Sequence, residues 1–200
     1  IHPIAYIFFA MFVMVGCVNA VNLTDGVDGL CAGVTVPVMV FFTAAAVSMG
    51  KLDLALLPAC LVGGLVAYLF YNWHPAKVFM GDTGSLFIGF LLAICMLVMM
   101  DYNGENTKTI CSLEIKSNLL VVIMLFFLPL ADTLRVFIYR VQRGKRPFSA
   151  DKTHIHHLFF RIGYKHSKIA LTTLSIQVVI SLISIAMAFV LEDIFYIIYI

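Results

Sequence analysis

The sequence predicts an all-α fold, a polytopic transmembrane bundle of about six helices. Of the 200 residues, 62% are hydrophobic and 12% are charged, whereas about a quarter of a soluble domain is charged. The mean hydropathy of +1.02 is typical of a membrane protein. The apolar runs lack the alternation of a lipid-facing barrel. Because backbone groups in lipid must be hydrogen-bonded internally, we expect these runs to be helices.

Six apolar runs define the predicted spans, at residues 3–21, 31–50, 54–71, 86–100, 119–139 and 170–191. The fourth run is short, so we expect its helix to include flanking residues. We interpret residues 1–200 as a single integral membrane domain. The chain begins at Ile1 rather than at methionine, and both of its ends are apolar. These ends favour a fragment from which several N-terminal helices are missing.

The distribution of positive charge predicts the orientation of the spans. Eight of the 13 lysines and arginines lie in one loop, residues 140–169. Loops rich in lysine and arginine face the cytoplasm. Counting back through the spans places two further polar segments, 22–30 and 72–85, on the same face. We therefore expect three polar segments to share the cytoplasmic face of the membrane.

The first of these segments combines amides, carboxylates and glycines in the stretch NAVNLTDGVDGL, residues 19–30. Asn22, Asp25 and Asp28 are spaced three apart, which places their oxygens on one side of a helical turn. Glycines at this point let a backbone approach a ligand closely. The alternative is a helix cap followed by a turn, a common use of Asp and Asn.

In the second segment, Asp82 lies between Gly81 and Gly84 at the predicted start of a helix. A carboxylate there can hold a hard cation such as Mg²⁺, and the amides of a helix N-terminus suit phosphate. The GxxxxGK[ST] pattern of a Walker loop is missing. The alternative is that Asp82 or Thr83 only caps the helix.

The third segment, residues 140–169, combines cations with His154, His156 and His157. Imidazoles beside phosphate can donate hydrogen bonds and neutralise charge. Histidines two apart on a helix do not face one another, so we do not expect a zinc site from this run alone. For the cations, the alternative is non-specific attraction to anionic lipid headgroups. Earlier in the chain, Asp132 and Arg135 are predicted to form a structural pair, with contact between Arg135 and substrate as the second interpretation.

These three segments resemble motifs of the polyprenyl-phosphate N-acetylhexosamine-1-phosphate transferases, the family that includes phospho-MurNAc-pentapeptide transferase. NAVNLTDGVDGL is similar to the family element NAxNxxDGxDGL, and VFMGDTGSLFIGF is similar to xFMGDxGSxxxG. RPFSADKTHIHHLF is similar to PFSxDxxHxHHxL, the element of the branch that starts teichoic-acid, enterobacterial-antigen or O-antigen chains. The pentapeptide branch instead tends to carry a proline followed by three adjacent histidines.

The resemblance implies roles for individual residues. Asn22 and Asp82 match the ligands of the catalytic Mg²⁺, with Mn²⁺ as an alternative ion. Asp28 and Phe79 match positions that contact uracil, and Asp25 matches an acid required for activity. The catalytic residues implied in this way are Asp25, Asp28, His154, His156 and His157. Arg143 and Arg146 match cations that bind the diphosphate and the sugar.

The resemblance also implies a reaction and its partners. A UDP-N-acetylhexosamine, by default UDP-N-acetylglucosamine, would donate its sugar 1-phosphate to undecaprenyl phosphate and release UMP. The expected location is a bacterial inner membrane, with the active site facing the cytoplasm. We expect no nucleic acid as partner, and a homodimer is an open alternative. The family's paired-aspartate element, similar to DDxxK, does not occur in this chain. A fragment that begins after that element explains the difference.

Three other functions stay open. One is the pentapeptide branch of the same family. Another is an ion-coupled transporter, which is disfavoured because transporter sites lie near the bilayer midplane, whereas these polar groups lie in loops on one face. The last is a non-catalytic scaffold, against which the intact Asn22, Asp25, Asp28 and Asp82 argue.

Overall fold

A computed structural model describes residues 3–48, 50–101, 126–144 and 154–190. All the regular secondary structure in these ranges is helical, which confirms the predicted all-α fold. The helices are α1 (Pro3–Thr24), α2 (Leu30–Ser48), α3 (Leu52–Asn72), α4 (Gly81–Asp101), α5 (Phe127–Gln142), α6 (Ile155–Arg161) and α7 (His166–Val190).

Five of these helices, α1 to α4 and α7, are long and apolar enough to cross a bilayer. The short fourth run becomes a full-length span because its helix begins at Gly81 and so includes Asp82 to Ser85. The predicted fifth span, 119–139, is described only from residue 126 onward, where it forms the 16-residue α5. The first part of that span lies outside the described residues.

The helices pack in pairs, α1 against α4 and α2 against α3, while α7 packs on α2. Buried side chains of α1, α2 and α4, with Leu65 of α3 and Phe126 before α5, form the main core. In lipid, small residues promote helix association because they allow the backbones to approach closely. Gly89 of α4 has this role, because a Cβ at that position would lie 2.7 Å from the Cα of Val18 in α1.

Large apolar side chains point away from this core, for example Phe12 of α1 and Phe70 of α3, which are 78% and 81% exposed. A bilayer would cover such a surface. The helix pairing brings the end of α1, the end of α3 and the starts of α4 and α7 to one end of the bundle. Direct contacts join them there, including those of Asn22 with Asp82 and of Asp28 with His74. With His166 of the third segment 3.9 Å from Asp28, the three polar segments therefore meet at one end of the bundle, and the cytoplasmic orientation of that end stays a prediction.

Candidate active site

Asn22 and Asp82 meet where α1 ends and α4 begins. The Asn22 amide donates to Asp82 Oδ1 at 3.0 Å and to Ser85 Oγ at 2.9 Å. Asp82 is exposed in the first turn of α4, where the helix dipole favours a negative charge. An amide and a carboxylate in contact at an open surface provide the oxygen donors that a hard cation prefers.

Asp25 adds a second carboxylate beside this pair. It lies in the turn after α1, where its backbone N–H donates to the Asn22 carbonyl at 3.1 Å. Burial, together with the negative charge of Asp82, raises the pKa of Asp25 to about 6. The two carboxylates thus repel each other across the turn. Their repulsion would be relieved by a divalent cation held between them, so the charge of the site fits the expected ion.

Asp28 joins the first polar segment to the second. Its Oδ2 accepts hydrogen bonds from His74 Nδ1 at 2.7 Å and from the Ala76 N–H at 3.3 Å. Burial alone would raise the pKa of Asp28, but these hydrogen bonds hold it below the usual value. Next to it, Gly29 adopts a positive φ of 75° and donates its N–H to Asn72 Oδ1 at 2.9 Å. The DGxDG turn, residues 25–29, is therefore fixed by Asn72 at the end of α3 and by the α3–α4 connection.

Phe79 precedes α4 and is 73% exposed. Its ring is free to take an aromatic ligand on its face, the arrangement that base stacking requires. Asp28 and Phe79 both belong to the polar end of the bundle, Phe79 three residues before Asp82 and Asp28 six residues after Asn22.

Asp132 of α5 organises the histidine segment. Its Oδ2 lies 3.0 Å from His154 Nδ1, and its Oδ1 accepts the Ile155 N–H at 3.0 Å. Arg135 also donates to Oδ1 at 2.9 Å, so the expected Asp132–Arg135 pair is present. The carboxylate therefore ties the start of α6 to α5, a role beyond that of a simple ion pair.

His156 is the histidine that reaches the first polar segment. A Cβ built on Gly26 would lie 2.6 Å from His156 Nε2, so the imidazole packs directly on that glycine. Burial, with smaller effects from His157 and His154, lowers the pKa of His156 to about 4. A ring with this pKa is neutral at pH 7. It also lines a small cavity beside Thr24 and Asp132.

Of the two expected site cations, the structure describes only Arg143. Arg143 ends α5 with its guanidinium over the Tyr139 ring, 4.3 Å from the centroid. Arg146 lies outside the described residues. The structure joins Asn22 with Asp82, and it brings the histidine segment against the DGxDG turn through His156 and Gly26.

Sequence reasoning did not single out His74, His166 or Asn72, and it missed the contact between Asp132 and His154. His74 was visible as a titratable group inside a polar segment, but its partner Asp28 lies 46 residues earlier. Contacts over such separations depend on how the helices pack. Motif spacing carries no signal for them.

Comparisons with known proteins indicate the family of this chain. The sequence model of glycosyl transferase family 4 matches residues 1–100, a range that contains the first two polar segments. The phospho-N-acetylmuramoyl-pentapeptide-transferase of Carboxydothermus hydrogenoformans is 41% identical over 179 residues, covering 88% of this chain and 50% of that protein.

Two further relatives carry different names. The probable undecaprenyl-phosphate N-acetylglucosaminyl 1-phosphate transferase of Bacillus subtilis is 37% identical over 175 residues, covering 87% of this chain and 46% of that protein. The decaprenyl-phosphate N-acetylglucosaminephosphotransferase of Mycobacterium leprae is 32% identical over 176 residues, covering 82% of this chain and 44% of that protein. The chain thus spans about half the length of the curated relatives it matches.

Proposed function

Since this chain belongs to glycosyl transferase family 4, we propose that it forms the nucleotide-sugar and metal-binding part of a membrane phosphotransferase. The donor is a UDP-N-acetylhexosamine, and the acceptor is undecaprenyl phosphate. The observation that carries the proposal is the contact between Asn22 and Asp82, which come from separate helices and meet at 3.0 Å beside Asp25.

The reaction needs little covalent chemistry from the protein. An oxygen of the lipid phosphate forms a bond to the sugar-linked phosphorus of the donor. The bond from that phosphorus to the bridging oxygen breaks, and UMP leaves with the electron pair. Because one phosphoanhydride replaces another, catalysis consists mainly of positioning and of charge stabilisation.

Different residues would bind the metal ion and the uracil. Asn22 and Asp82 would hold Mg²⁺, and Asp25 concentrates further negative charge beside them. The chemistry that Mg²⁺ supplies to phosphoryl transfer is neutralisation of the diphosphate charge. Asp28 and Phe79 would bind the uracil, the first by hydrogen bonding and the second by stacking on its exposed ring.

The histidine segment would complete the site over the diphosphate. His156 is neutral and lies against Gly26, so it would donate a hydrogen bond to a phosphate oxygen without adding charge. His154 is held by Asp132 and would position its neighbour, while His157 and the cations Arg143 and Arg146 would contact the remaining oxygens. The proposed site faces the cytoplasm, where a soluble nucleotide and a lipid headgroup can both reach it.

The test uses the full-length protein in lipid nanodiscs with undecaprenyl phosphate, Mg²⁺ and labelled UDP-N-acetylglucosamine. We expect labelled lipid and an equal release of UMP. Asp82→Asn should abolish both, whereas Asp53→Asn should not, since Asp53 is exposed in the first turn of α3, at the end of that helix away from Asn72. Metal-dependent transfer retained by Asp82→Asn would refute the role of Asp82. No transfer from any UDP-sugar would refute the function.

A second candidate function is transfer of phospho-MurNAc-pentapeptide. The 41% identity to the Carboxydothermus hydrogenoformans transferase favours it. The histidine spacing His154-Ile155-His156-His157 favours the N-acetylglucosamine branch, because that branch separates the first histidine from the adjacent pair. The same assay with UDP-MurNAc-pentapeptide as donor distinguishes the two substrates.

A further inference from the structure

Three potential metal ligands from separate segments meet beside the DGxDG turn. They are Asp28 after α1, His74 in the α3–α4 connection and His166 at the start of α7, and their ligand atoms all lie within 4.8 Å of one another. Asp28 Oδ2 is 2.7 Å from His74 Nδ1 and 3.9 Å from His166 Nδ1. In the part of the chain that the structure describes, no other group of three His, Cys, Asp or Glu residues is gathered in this way.

His166 points to a missing ligand. Its ring is 40% exposed on one side. Its Nδ1 atom, however, is buried and has no hydrogen-bond partner among the described residues. A buried polar atom without a partner is costly in a native structure and calls for a specific explanation. The atom faces the Asp28 carboxylate from just beyond hydrogen-bond distance, so a bound ion between them would satisfy it.

The spacing of the donors suits a small tetrahedral ion. Zinc bonds to imidazole nitrogen and carboxylate oxygen at about 2.0–2.2 Å, which separates neighbouring ligand atoms by roughly 3.3 Å. The two distances from Asp28 Oδ2, 2.7 and 3.9 Å, bracket that value. Shifts of about 0.6 Å, within the reach of side-chain rotation, would adjust both distances from Asp28 to that value. The ligand atoms of the two histidines, which lie within 4.8 Å of each other, would also have to approach the ion.

We propose that Asp28, His74 and His166 form a binding site for a divalent transition-metal ion of the zinc class, distinct from the Asn22–Asp82 pair. Two imidazoles and one carboxylate are a zinc-type donor set, whereas Mg²⁺ prefers oxygen ligands throughout. The fourth position stays open to water. The ion would clamp the turn after α1, the α3–α4 connection and α7 to one another. His74 and His166 stack with their ring centroids 4.9 Å apart and an angle of 18° between the rings, so one ring must rotate for both Nδ1 lone pairs to point at the ion.

Zinc binding at this site would also affect catalysis, and this expectation rests on the proposed function. Zinc on Asp28 would engage the carboxylate that is proposed to contact uracil. Zn²⁺ should then raise the KM for the nucleotide sugar in the wild type but not in His166→Gln. Zinc binding without any sugar-phosphate transfer would support the site and refute only the proposed function, so the two failures are distinguishable.

The direct test measures binding. The full-length protein is purified with an affinity tag that contains no histidine, stripped with chelator and titrated with Zn²⁺ in the presence of millimolar Mg²⁺, followed by calorimetry. We expect one saturable site that His74→Gln and His166→Gln each weaken by at least about tenfold, since loss of even an outer-shell partner costs that much. His157→Gln is the matched control, a histidine outside this cluster, and it should leave that site intact.

Spectroscopy keeps the proposal testable if a variant fails to fold. Co²⁺ bound to the wild-type protein should show the intense visible absorption of a four-coordinate ion, and Zn²⁺ should displace it. Equal zinc affinity in the wild type and in a folded His74→Gln protein would overturn the proposal. So would the lack of saturable zinc binding, or a six-coordinate Co²⁺ spectrum, in the wild type.

Discussion

Replacing Gly89 with alanine should separate α1 from α4 and so disturb the candidate metal site. The new Cβ would lie 2.7 Å from Val18 Cα and 3.2 Å from the Cys17 carbonyl oxygen. Both are backbone atoms, so they cannot rotate away. An ordinary contact begins at 3.4 Å, so one helix must move by about 0.7 Å. Asn22 follows Val18 by one helical turn, and it would be carried along with α1.

The expected magnitude follows from this displacement. Overpacking of this size costs about 1–3 kcal/mol, while alanine returns up to about 1 kcal/mol of helix propensity relative to glycine. We therefore expect a net loss of stability of up to about 2 kcal/mol. The effect on turnover should be larger, since misplacing a catalytic group by about 1 Å can cost 100-fold in rate. Because Asn22 and Asp82 are on the two helices that separate, the Mg²⁺ concentration for half-maximal activity should also rise.

Gly33→Ala is the matched control. Gly33 is also buried in a helix, but a Cβ there would meet nothing within 4 Å. Thermal unfolding of both variants in detergent and initial rates across a Mg²⁺ series would test the prediction. If Gly89→Ala matches Gly33→Ala in stability, rate and Mg²⁺ dependence, the close approach of α1 and α4 does not position the site, and the reasoning is wrong.

Three further predictions concern the histidine segment. Gly26→Ala should displace His156, because the new Cβ would lie 2.6 Å from His156 Nε2. The initial rate should fall at least about tenfold, and an unchanged rate would count against His156 as part of the site. Folding lowers the pKa of His156 from 6.5 to about 4, mainly through burial and also through His157 and His154, while the charge of Asp132 opposes the shift. Between these two pH values the unfolded state therefore binds more protons than the folded state. The contribution of His156 to the free energy of unfolding should thus be complete above pH 6.5 and decrease by up to roughly 3 kcal/mol as the pH drops towards 4. The thermal midpoint should depend less on pH in His156→Gln, and equal pH profiles for this variant and the wild type would contradict the lowered pKa of His156. Asp132→Asn should release His154 and lower kcat by about 10–100-fold with little change in KM, as for the loss of a positioning partner, and a change in KM alone would instead indicate contact with substrate.

Much of this architecture could be predicted from the sequence because lipid imposes simple rules. A chain that crosses a bilayer must bond its backbone groups internally, so each long apolar run becomes a helix. The run at residues 86–100 was too short to span alone, and its helix begins at Gly81, as the length rule required. Alternation of the spans then placed the segments around Asn22, Asp82 and His154 on one face, where the structure brings them together.

The contacts within the site could not be predicted in the same way. Spacing placed the oxygens of Asn22 and Asp25 on one side of a helical turn, and only the family resemblance linked Asn22 to Asp82, to which its amide bonds 60 residues later. Asp132 was expected to pair with Arg135 and does, but it also holds His154 from 22 residues away. Such partners come from different helices, and local periodicity does not determine which helices are neighbours.

The sequence by itself predicted the long apolar helices in the described part of the chain and the gathering of the polar segments at one end of them, but not the short α6. Hydropathy and charge are properties of each segment alone, and the bilayer acts on each segment separately. Only the tertiary structure decided that His166 and His74 flank Asp28 and that His156 rests on Gly26. These contacts depend on sub-ångström fit between helices, such as that of Gly89 against Val18, and such fit emerges only when the helices are packed together.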